Sequence, residues 1–343
     1  MNHVLASNEL TYLDVQDAAR RIAPLIHRTP VMTCSMIDRM AGRKLFFKCE
    51  NLQKVGAFKF RGACNAVFKL PDDIALRGVV THSSGNHAQA IALAAHMRGI
   101  AAHVIMPRTS SAVKLRAVQE YGGTVYTCEP NQRAREETAS QVAEKTGATF
   151  ISSYNHPDVI AGQGTAALEL IAEIDDLDAI IAPIGGGGLM AGTCIAAVGG
   201  GGASGSSSLR SSDPAWGRRV RLFGAEPAGA DDAARSLQAG ELIPQTSPNT
   251  IADGLRTSMG DLTWPIIRDH VERVFTVSDA QIITAMRLVW ERMKIIIEPS
   301  SATVLAVALS DEFKALNDLQ RVGLIISGGN VDLDQLPWIH ASA

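Results

Sequence analysis

The feature that most constrains this chain is an alternation of two patterns. Short runs of mostly apolar, strand-forming residues recur along it, at 44–50 (KLFFKCE), 78–83 (GVVTHS), 101–107 (AAHVIMP), 178–184 (DAIIAPI), 220–226 (VRLFGAE) and 322–327 (VGLIIS). Between them lie segments such as HAQAIALAAHMRG and DAQIITAMRLVWERMK, whose apolar positions return every three or four residues, the period of a helix with one buried face. Strand, helix and strand in succession call for crossover connections. The alternation therefore predicts βαβ units and an α/β fold, with mostly parallel sheets covered by helices on both faces. At 343 residues there is room for two domains of ordinary size.

Composition removes several function classes. Hydrophobic residues are 46% and charged residues 20% of the chain, the profile of a globular enzyme. A formal net charge of -3 gives no general attraction to nucleic acid or to an anionic membrane. Aromatic residues are only 5%, too sparse for a base-stacking surface. Cys34, Cys49, Cys64, Cys128 and Cys194 are odd in number and scattered, which argues against a disulfide framework or a structural zinc site and for a reducing compartment. The first residues, MNHVLASNELTYLDV, lack a basic start and a long apolar run, and no apolar stretch reaches membrane-spanning length. The expectation is a soluble, cytoplasmic protein. The stretch 198–217 (VGGGGASGSSSLRSSDPAWG) is the one low-complexity segment and reads as a flexible surface insertion rather than a domain linker, since strand-like segments continue after it.

Four motifs carry chemistry. In Val55-Gly56-Ala57-Phe58-Lys59-Phe60-Arg61-Gly62, a lysine stands between two aromatics, where partial desolvation would lower its pKa and make it a usable nucleophile or base. Taken alone it reads more readily as a lysine at the start of an amphipathic helix, and the other motifs shift that balance. Thr81-His82-Ser83-Ser84-Gly85-Asn86-His87 follows a strand and opens a helix. Ser83 or Ser84 could cap that helix, and free amides there could hold a carboxylate. Gly185-Gly186-Gly187-Gly188, with Leu189 after it, joins a strand to a helix. It can wrap a phosphate closely, without the lysine and Ser/Thr of a nucleotide-triphosphate loop. Ile326-Ser327-Gly328-Gly329-Asn330 ends the last apolar strand, and the Ser327 hydroxyl could pair with a neutral pyridine nitrogen.

These motifs, in this order, resemble the fold type II pyridoxal-phosphate family of threonine dehydratases, serine dehydratases and serine racemases, from Arg28-Thr29-Pro30 to Ser327-Gly328-Gly329-Asn330. The racemase branch shares the segments 48–62, 81–89, 263–275, 288–299 and 326–333. The resemblance implies two open, twisted parallel-sheet domains with the cofactor in the cleft: a large domain from 1–77 and 156–343, and a small one from 78–155. It implies that Lys59 forms the Schiff base with pyridoxal 5'-phosphate and acts on one face of the substrate, with Ser84 as the acid/base on the other. Phe58 would pack beside the cofactor and Asn86 would bond its phenolic oxygen. Gly185 to Gly188 and Leu189 would hold its phosphate, and Ser327 would meet its ring nitrogen. Ser83, Ser84, Asn86 and His87 would receive the substrate. Glu226, the Ala230 carbonyl and Asp232 resemble a magnesium or calcium site. Lys54, Tyr121, Lys294 and Asn330 resemble an ATP site between subunits of a homodimer.

Two activities follow from that resemblance. A racemase needs a group on each side of a planar carbanion, and Ser84, where many dehydratases have alanine, favours racemisation of serine with β-elimination to pyruvate and ammonia. The alternative is a dehydratase (ammonia-lyase) for serine, threonine or threo-3-hydroxyaspartate. A non-catalytic amino-acid sensor is a third class, disfavoured by the intact Lys59 and phosphate loop. No sign of a C-terminal regulatory domain appears after Ser327, unlike the biosynthetic threonine dehydratase. The chain departs from the pattern at Ala57, where serine is usual in animal racemases and many dehydratases, at Ser152-Ser153-Tyr154-Asn155, where Tyr154 takes the place of a cofactor-pocket asparagine, and in the Gly/Ser stretch before Glu226.

Overall fold

Strands β2 (Lys44–Cys49), β7 (Ala179–Pro183) and β10 (Arg321–Ile326) are near-continuous apolar runs, and each ends up covered on both faces. They occupy the middle of a six-stranded sheet in the order β1-β2-β10-β7-β8-β9, with β1 (Val31–Met32), β8 (Arg221–Pro227) and β9 (Arg273–Val277) completing it. Only β1, antiparallel to β2, departs from parallel pairing. A second sheet, all parallel, has the order β5-β4-β3-β6 and is built from β3 (Val79–His82), β4 (Ala102–Pro107), β5 (Thr124–Cys128) and β6 (Thr149–Phe150). The computed structural model describes residues 10–110, 112–199 and 220–338. All but the first two residues of the Gly/Ser stretch expected at 198–217 therefore lie outside the described residues, as do residues 1–9.

Helices fill the connections. In chain order they are α1 (Tyr12–Ile22), α2 (Ser35–Ala41), α3 (Lys59–Lys69), α4 (Asp72–Ala75), α5 (Asn86–Arg98), α6 (Ala112–Glu120), α7 (Gln132–Thr146), α8 (Pro157–Glu173), α9 (Gly188–Gly199), α10 (Asp232–Ala239), α11 (Thr263–His270), α12 (Asp279–Met293), α13 (Pro299–Ala308) and α14 (Asp311–Lys314). Along β10, Leu324 and Ile326 join the apolar layer under α12 and α13. Ile325 faces the opposite layer, shared with α8, α9 and α11. β7 divides in the same way, Ile181 to one layer and Ile180 to the other. The chain is thus α/β with two parallel-sheet domains, as the alternation predicts.

All six expected strands are present within a residue or two of their expected limits. The strands that the apolar runs do not reveal are β1, β5, β6 and β9. β1 and β6 are two residues long, too short to carry a period, and β5 and β9 are sheet edges whose exposed positions interrupt the apolar pattern.

What positions the site is the packing of α8 between α3 and α9. A Cβ at Gly162 would lie 2.6 Å from the Gly62 Cα, and one at Gly164 would lie 2.6 Å from the Gly192 carbonyl. Glycine pairs therefore bring three helix backbones into direct contact, and α3 and α9 each begin at a candidate site residue. A buried charge network locks the first of these. Arg61 bonds Glu50 (2.7 and 2.8 Å) and Glu169 (2.7 and 2.9 Å), and Lys48 bonds Glu169 and the Thr29 carbonyl, each at 2.7 Å.

Candidate active site

Lys59 is the first residue of α3, partly buried, with Nζ 5.0 Å from the Phe58 ring centre and donating to the Ser153 carbonyl at 2.8 Å. Burial pushes its amine down to about 8, against the opposing pull of the Glu298 charge. The backbone around it is zipped to the loop after β10. Phe58 N donates to the Ser327 carbonyl (2.9 Å), Gly329 N to the Gly56 carbonyl (2.9 Å), and Ala57 bridges Gly328. Residues 269 positions apart in sequence, such as Phe58 and Ser327, thus become neighbours (327 minus 58).

Ser327 is buried, its hydroxyl 3.0 Å from that of Ser301, which also donates to the Gly328 carbonyl at 2.6 Å and accepts from Gly328 N at 2.7 Å. Ser301 was not singled out by the motifs. Neither was Glu298, the more consequential omission. Its carboxylate accepts from Asn86 Nδ2 (3.0 and 3.2 Å) and from Asn330 N (3.1 Å). Burial, with the charge of Asp253 added, raises it to about 7 despite those bonds. The only local sign of Glu298 is an acid directly ahead of a proline that opens a helix, an ordinary helix-start pattern. Its burial against Asn86 has no local signature.

Asn86 opens α5. Its amide is engaged by Glu298 on one side and by Asn330 Nδ2, which donates to Asn86 Oδ1 at 2.9 Å, on the other. The expectation that Ser83 or Ser84 caps α5 is not met. Gly85 is the cap residue, no side chain caps the helix, and Ser83 Oγ accepts from Gly85 N at 3.3 Å. With both hydroxyls off the α5 amides, the Asn86 and His87 N–H groups stay available to an anion, while Ala88 N donates to the Gly85 carbonyl at 3.1 Å. Ser84 is partly buried and has no hydrogen-bond partner among the described residues. The His87 ring is buried, with Nε2 3.4 Å from the Ile151 carbonyl and Nδ1 unpartnered among the described residues. Burial, then the Lys59 charge, pushes it down to about 3, so it is neutral. If Nε2 donates to Ile151, Nδ1 is left as an acceptor, so the group His87 offers a carboxylate is its main-chain N–H.

The glycine loop lies across the cleft at the start of α9. Side chains would collide at Gly185, Gly186 and Gly187, and one at Gly188 would be tightly crowded. A Cβ would meet the Gly254 carbonyl at 2.9 Å from Gly185, the Tyr154 ring at 2.2 Å from Gly186, Thr263 Oγ1 at 2.7 Å from Gly187 and the Tyr154 backbone at 3.0 Å from Gly188. Gly187 also has φ +86°. Leu189 is buried beside them. Tyr154 therefore forms one wall of the cradle, as its position in the sequence suggests.

The remaining candidates fall into two groups. Glu226 and Asp232 are fully buried; Glu226 accepts from Ala233 N (3.0 Å) and Ala234 N (2.9 Å), and Asp232 Oδ2 from Met259 N (3.1 Å). Both carboxyls are raised, chiefly by burial, and for Glu226 also by the charge of Asp232. Asp232 Oδ1 is buried with no partner, and Ala230 is buried two residues before it. No third acidic, histidine or cysteine ligand joins them among the described residues, so carbonyl and water oxygens would complete a magnesium or calcium shell. Lys54 and Asn330 meet around Val55–Gly56, where Asn330 Nδ2 donates to the Val55 carbonyl at 2.7 Å. Tyr121 packs against the cluster that contains Val55 and Phe60, and Lys294 ends α12 with φ 60°.

The family model for pyridoxal-phosphate dependent enzymes matches residues 22–328. The chain belongs to this family. Among pyridoxal-phosphate dependent enzymes it is similar to the serine racemase of Dictyostelium discoideum, with 50% identity over 96% of this chain and 98% of that one. It is also similar to a beta-hydroxyaspartate dehydratase of Paracoccus denitrificans, at 48% identity over the same shares. The solved structure of maize serine racemase superimposes with a TM-score of 0.89, at 47% identity and 95% coverage of both chains. The residues fit the family's cofactor: a lysine amine held near neutrality, a side-chain-free cradle at a helix N-terminus and a buried hydroxyl at the opposite loop.

Proposed function

We propose that this pyridoxal-phosphate dependent enzyme is a serine racemase that interconverts L- and D-serine and also eliminates ammonia from serine to give pyruvate. One observation carries the reading. The Lys59 amine is held at about 8, and Ser84, a hydroxyl without a side-chain partner among the described residues, lies two residues before Asn86, which opens α5 and donates to the Glu298 carboxylate. The similarity to serine racemases of Dictyostelium and maize supports it.

Pyridoxal phosphate, when bound, supplies an electron sink that stabilises negative charge at the substrate α-carbon. The amides of Gly185 to Gly188 and Leu189 would hold its phosphate, Asn86 would bond its phenolic oxygen, and Phe58 would pack beside its ring. The Ser327 hydroxyl would meet the ring nitrogen without giving it a full proton. Ser83, Ser84 and the free main-chain amides of Asn86 and His87 at the start of α5 receive the substrate carboxylate. Lys59 Nζ moves the α-proton on one face and Ser84 Oγ on the other, so either enantiomer can be deprotonated and the opposite one formed. In elimination the proton that Lys59 takes from the α-carbon is returned to the departing β-hydroxyl, which leaves as water, so no group on the opposite face is needed and elimination accompanies racemisation.

The same reading assigns magnesium or calcium to Glu226, Asp232 and the Ala230 carbonyl, and ATP as an activator to Lys54, Tyr121, Lys294 and Asn330. It pairs two copies as a homodimer, and divides the chain into a large domain (1–77 and 156–343) and a small one (78–155). Five unpaired cysteines, and the absence among the described residues of a helix long and apolar enough to cross a membrane, support a reducing cytoplasmic setting. The Paracoccus relative favours a second reading, a dehydratase for 3-hydroxyaspartate.

The test follows D-serine and pyruvate together from L-serine, in wild type and in Ser84→Ala. D-serine should form in the wild type and disappear in the variant while pyruvate persists. Pyruvate alone from the wild type, with faster turnover of threo-3-hydroxyaspartate than of serine, would replace the racemase with the dehydratase.

A further inference from the structure

One side chain stands between the glycine loop and the buried Glu226/Asp232 pair. Thr263 is fully buried at the first position of α11. Its hydroxyl accepts from Gly260 N at 3.0 Å and lies 2.9 Å from the Gly186 carbonyl, closer than the Gly260 carbonyl at 3.2 Å. A hydroxyl has one hydrogen to give, so the shorter bond ties α11 to the cradle. Gly187 rests on the same side chain, since a Cβ there would meet Thr263 Oγ1 at 2.7 Å and Cβ at 2.9 Å. On the other side of this turn, Met259 N donates to Asp232 Oδ2. Asn155 grips the turn between, its Nδ2 donating to Asp261 Oδ1 at 2.6 Å and its Oδ1 accepting from Leu262 N at 3.0 Å. Asn155 directly follows Tyr154, whose ring covers Gly186.

The segment 259–263 is thus bonded to the carboxylate pair at one end and to the cradle at the other, and clamped in the middle. The Gly186 carbonyl and the Gly187 N–H belong to one planar peptide unit, so a pull on that oxygen re-aims an amide of the proposed phosphate site. We propose that the Thr263 hydroxyl is a positioning group that sets the glycine loop and transmits to it whether a divalent cation neutralises Glu226 and Asp232. Without the cation, the buried Asp232 Oδ1 has no partner, and a shift of that carboxyl draws on Met259 N through its other oxygen. With it, the turn is held and the cradle is ordered.

The inference rests on the phosphate and cation assignments proposed above, and its test separates the two. The enzyme is stripped of cofactor and the dissociation constant of pyridoxal phosphate is measured in magnesium and in EDTA, for wild type, Thr263→Val and Thr263→Ser. Wild type should bind about fivefold or more tightly with magnesium, the size expected of real coupling between sites. Thr263→Val should bring that ratio close to one, and Thr263→Ser, which keeps the hydroxyl, should preserve it. A wild-type ratio of one, or a valine variant with the wild-type ratio, overturns the inference and leaves the cofactor reading intact. Failure of the wild type to bind pyridoxal phosphate in either buffer overturns both. Phosphorus NMR of the wild-type holoenzyme needs no variant: the cofactor phosphate resonance should move when magnesium is removed, and a fixed resonance rejects the coupling.

Discussion

Lys59 and Glu298 face opposite electrostatic problems in the same cleft. Burial makes the ammonium costly and holds the lysine at about 8, while burial and Asp253 hold the carboxyl at about 7. Each group's charge favours the charged form of the other. In cofactor-free protein, removing the Glu298 charge with Glu298→Gln should therefore move the pH midpoint for amine labelling of Lys59 below about 8. An unchanged midpoint would rule out the coupling. The same shifts set the pH dependence of stability. Glu298 holds its proton more tightly in the fold than in the unfolded chain. Stability is therefore full below the ordinary value of 4.5 and is lost as pH rises towards about 7. Lys59 works in the other sense, its contribution present above 10.5 and lost as pH falls to about 8. Denaturant melts of the cofactor-free protein should show wild type losing stability between those two carboxyl values, and Glu298→Gln losing much less.

At the scale of elements, α8 is the part that sets the distance between the two halves of the site. Its glycines touch α3, which starts at Lys59, and α9, which starts at the cradle. Gly162→Ala would drive a methyl into the Gly62 Cα and the Arg61 carbonyl, so we expect it to weaken cofactor affinity as well as stability; equilibrium dialysis of the cofactor beside a denaturant melt separates the two. The charge network next to that crossing is internal apart from Glu169, whose side chain is 19% exposed. Burial alone would raise the Glu169 carboxyl, but the bonds and charge of Arg61, and then of Lys48, hold it below its usual range. Removing one partner strands the others. Arg61→Ala should cost roughly 3–5 kcal/mol in a urea melt, and adding Glu50→Gln should restore part of it, because fewer carboxylates are then left unpaired.

For the whole molecule, the question is how firmly the two sheets close on the cleft. Among the polar contacts that cross it from the small sheet's segment are Ser153 to Lys59, Asn86 to Glu298 and Lys114 to Asp253 at 2.9 Å. The first two are buried or partly so. In the third, the side chains are 40% and 50% exposed, so solvent screens it and it is worth no more than about 1 kcal/mol. Lys114→Met should accordingly raise KM for serine no more than about fivefold with kcat little changed, and added salt should shrink the difference. A tenfold loss of kcat would instead mean that this bridge takes part in ordering the site.

The sequence alone determined the α/β class, the six apolar strands and the four motifs, because each depends on local period or on glycines and polar residues adjacent in the chain. It also carried the family resemblance, and with it Lys59, Ser84, the glycine loop and the expectation of Tyr154 in the pocket wall. Tertiary structure alone decided that β10 enters between β2 and β7, and so brings Ser327 against Phe58. It decided that Glu298 is buried against Asn86, that Ser301 backs Ser327, and that Thr263 bonds the Gly186 carbonyl of the glycine loop. It also left Ser83 and Ser84 off the α5 amides, against the local capping pattern. The division is physical. Period and backbone permissiveness act between near neighbours, whereas burial, and the pKa values and hydrogen bonds it imposes, depends on which distant segments come to lie around a residue.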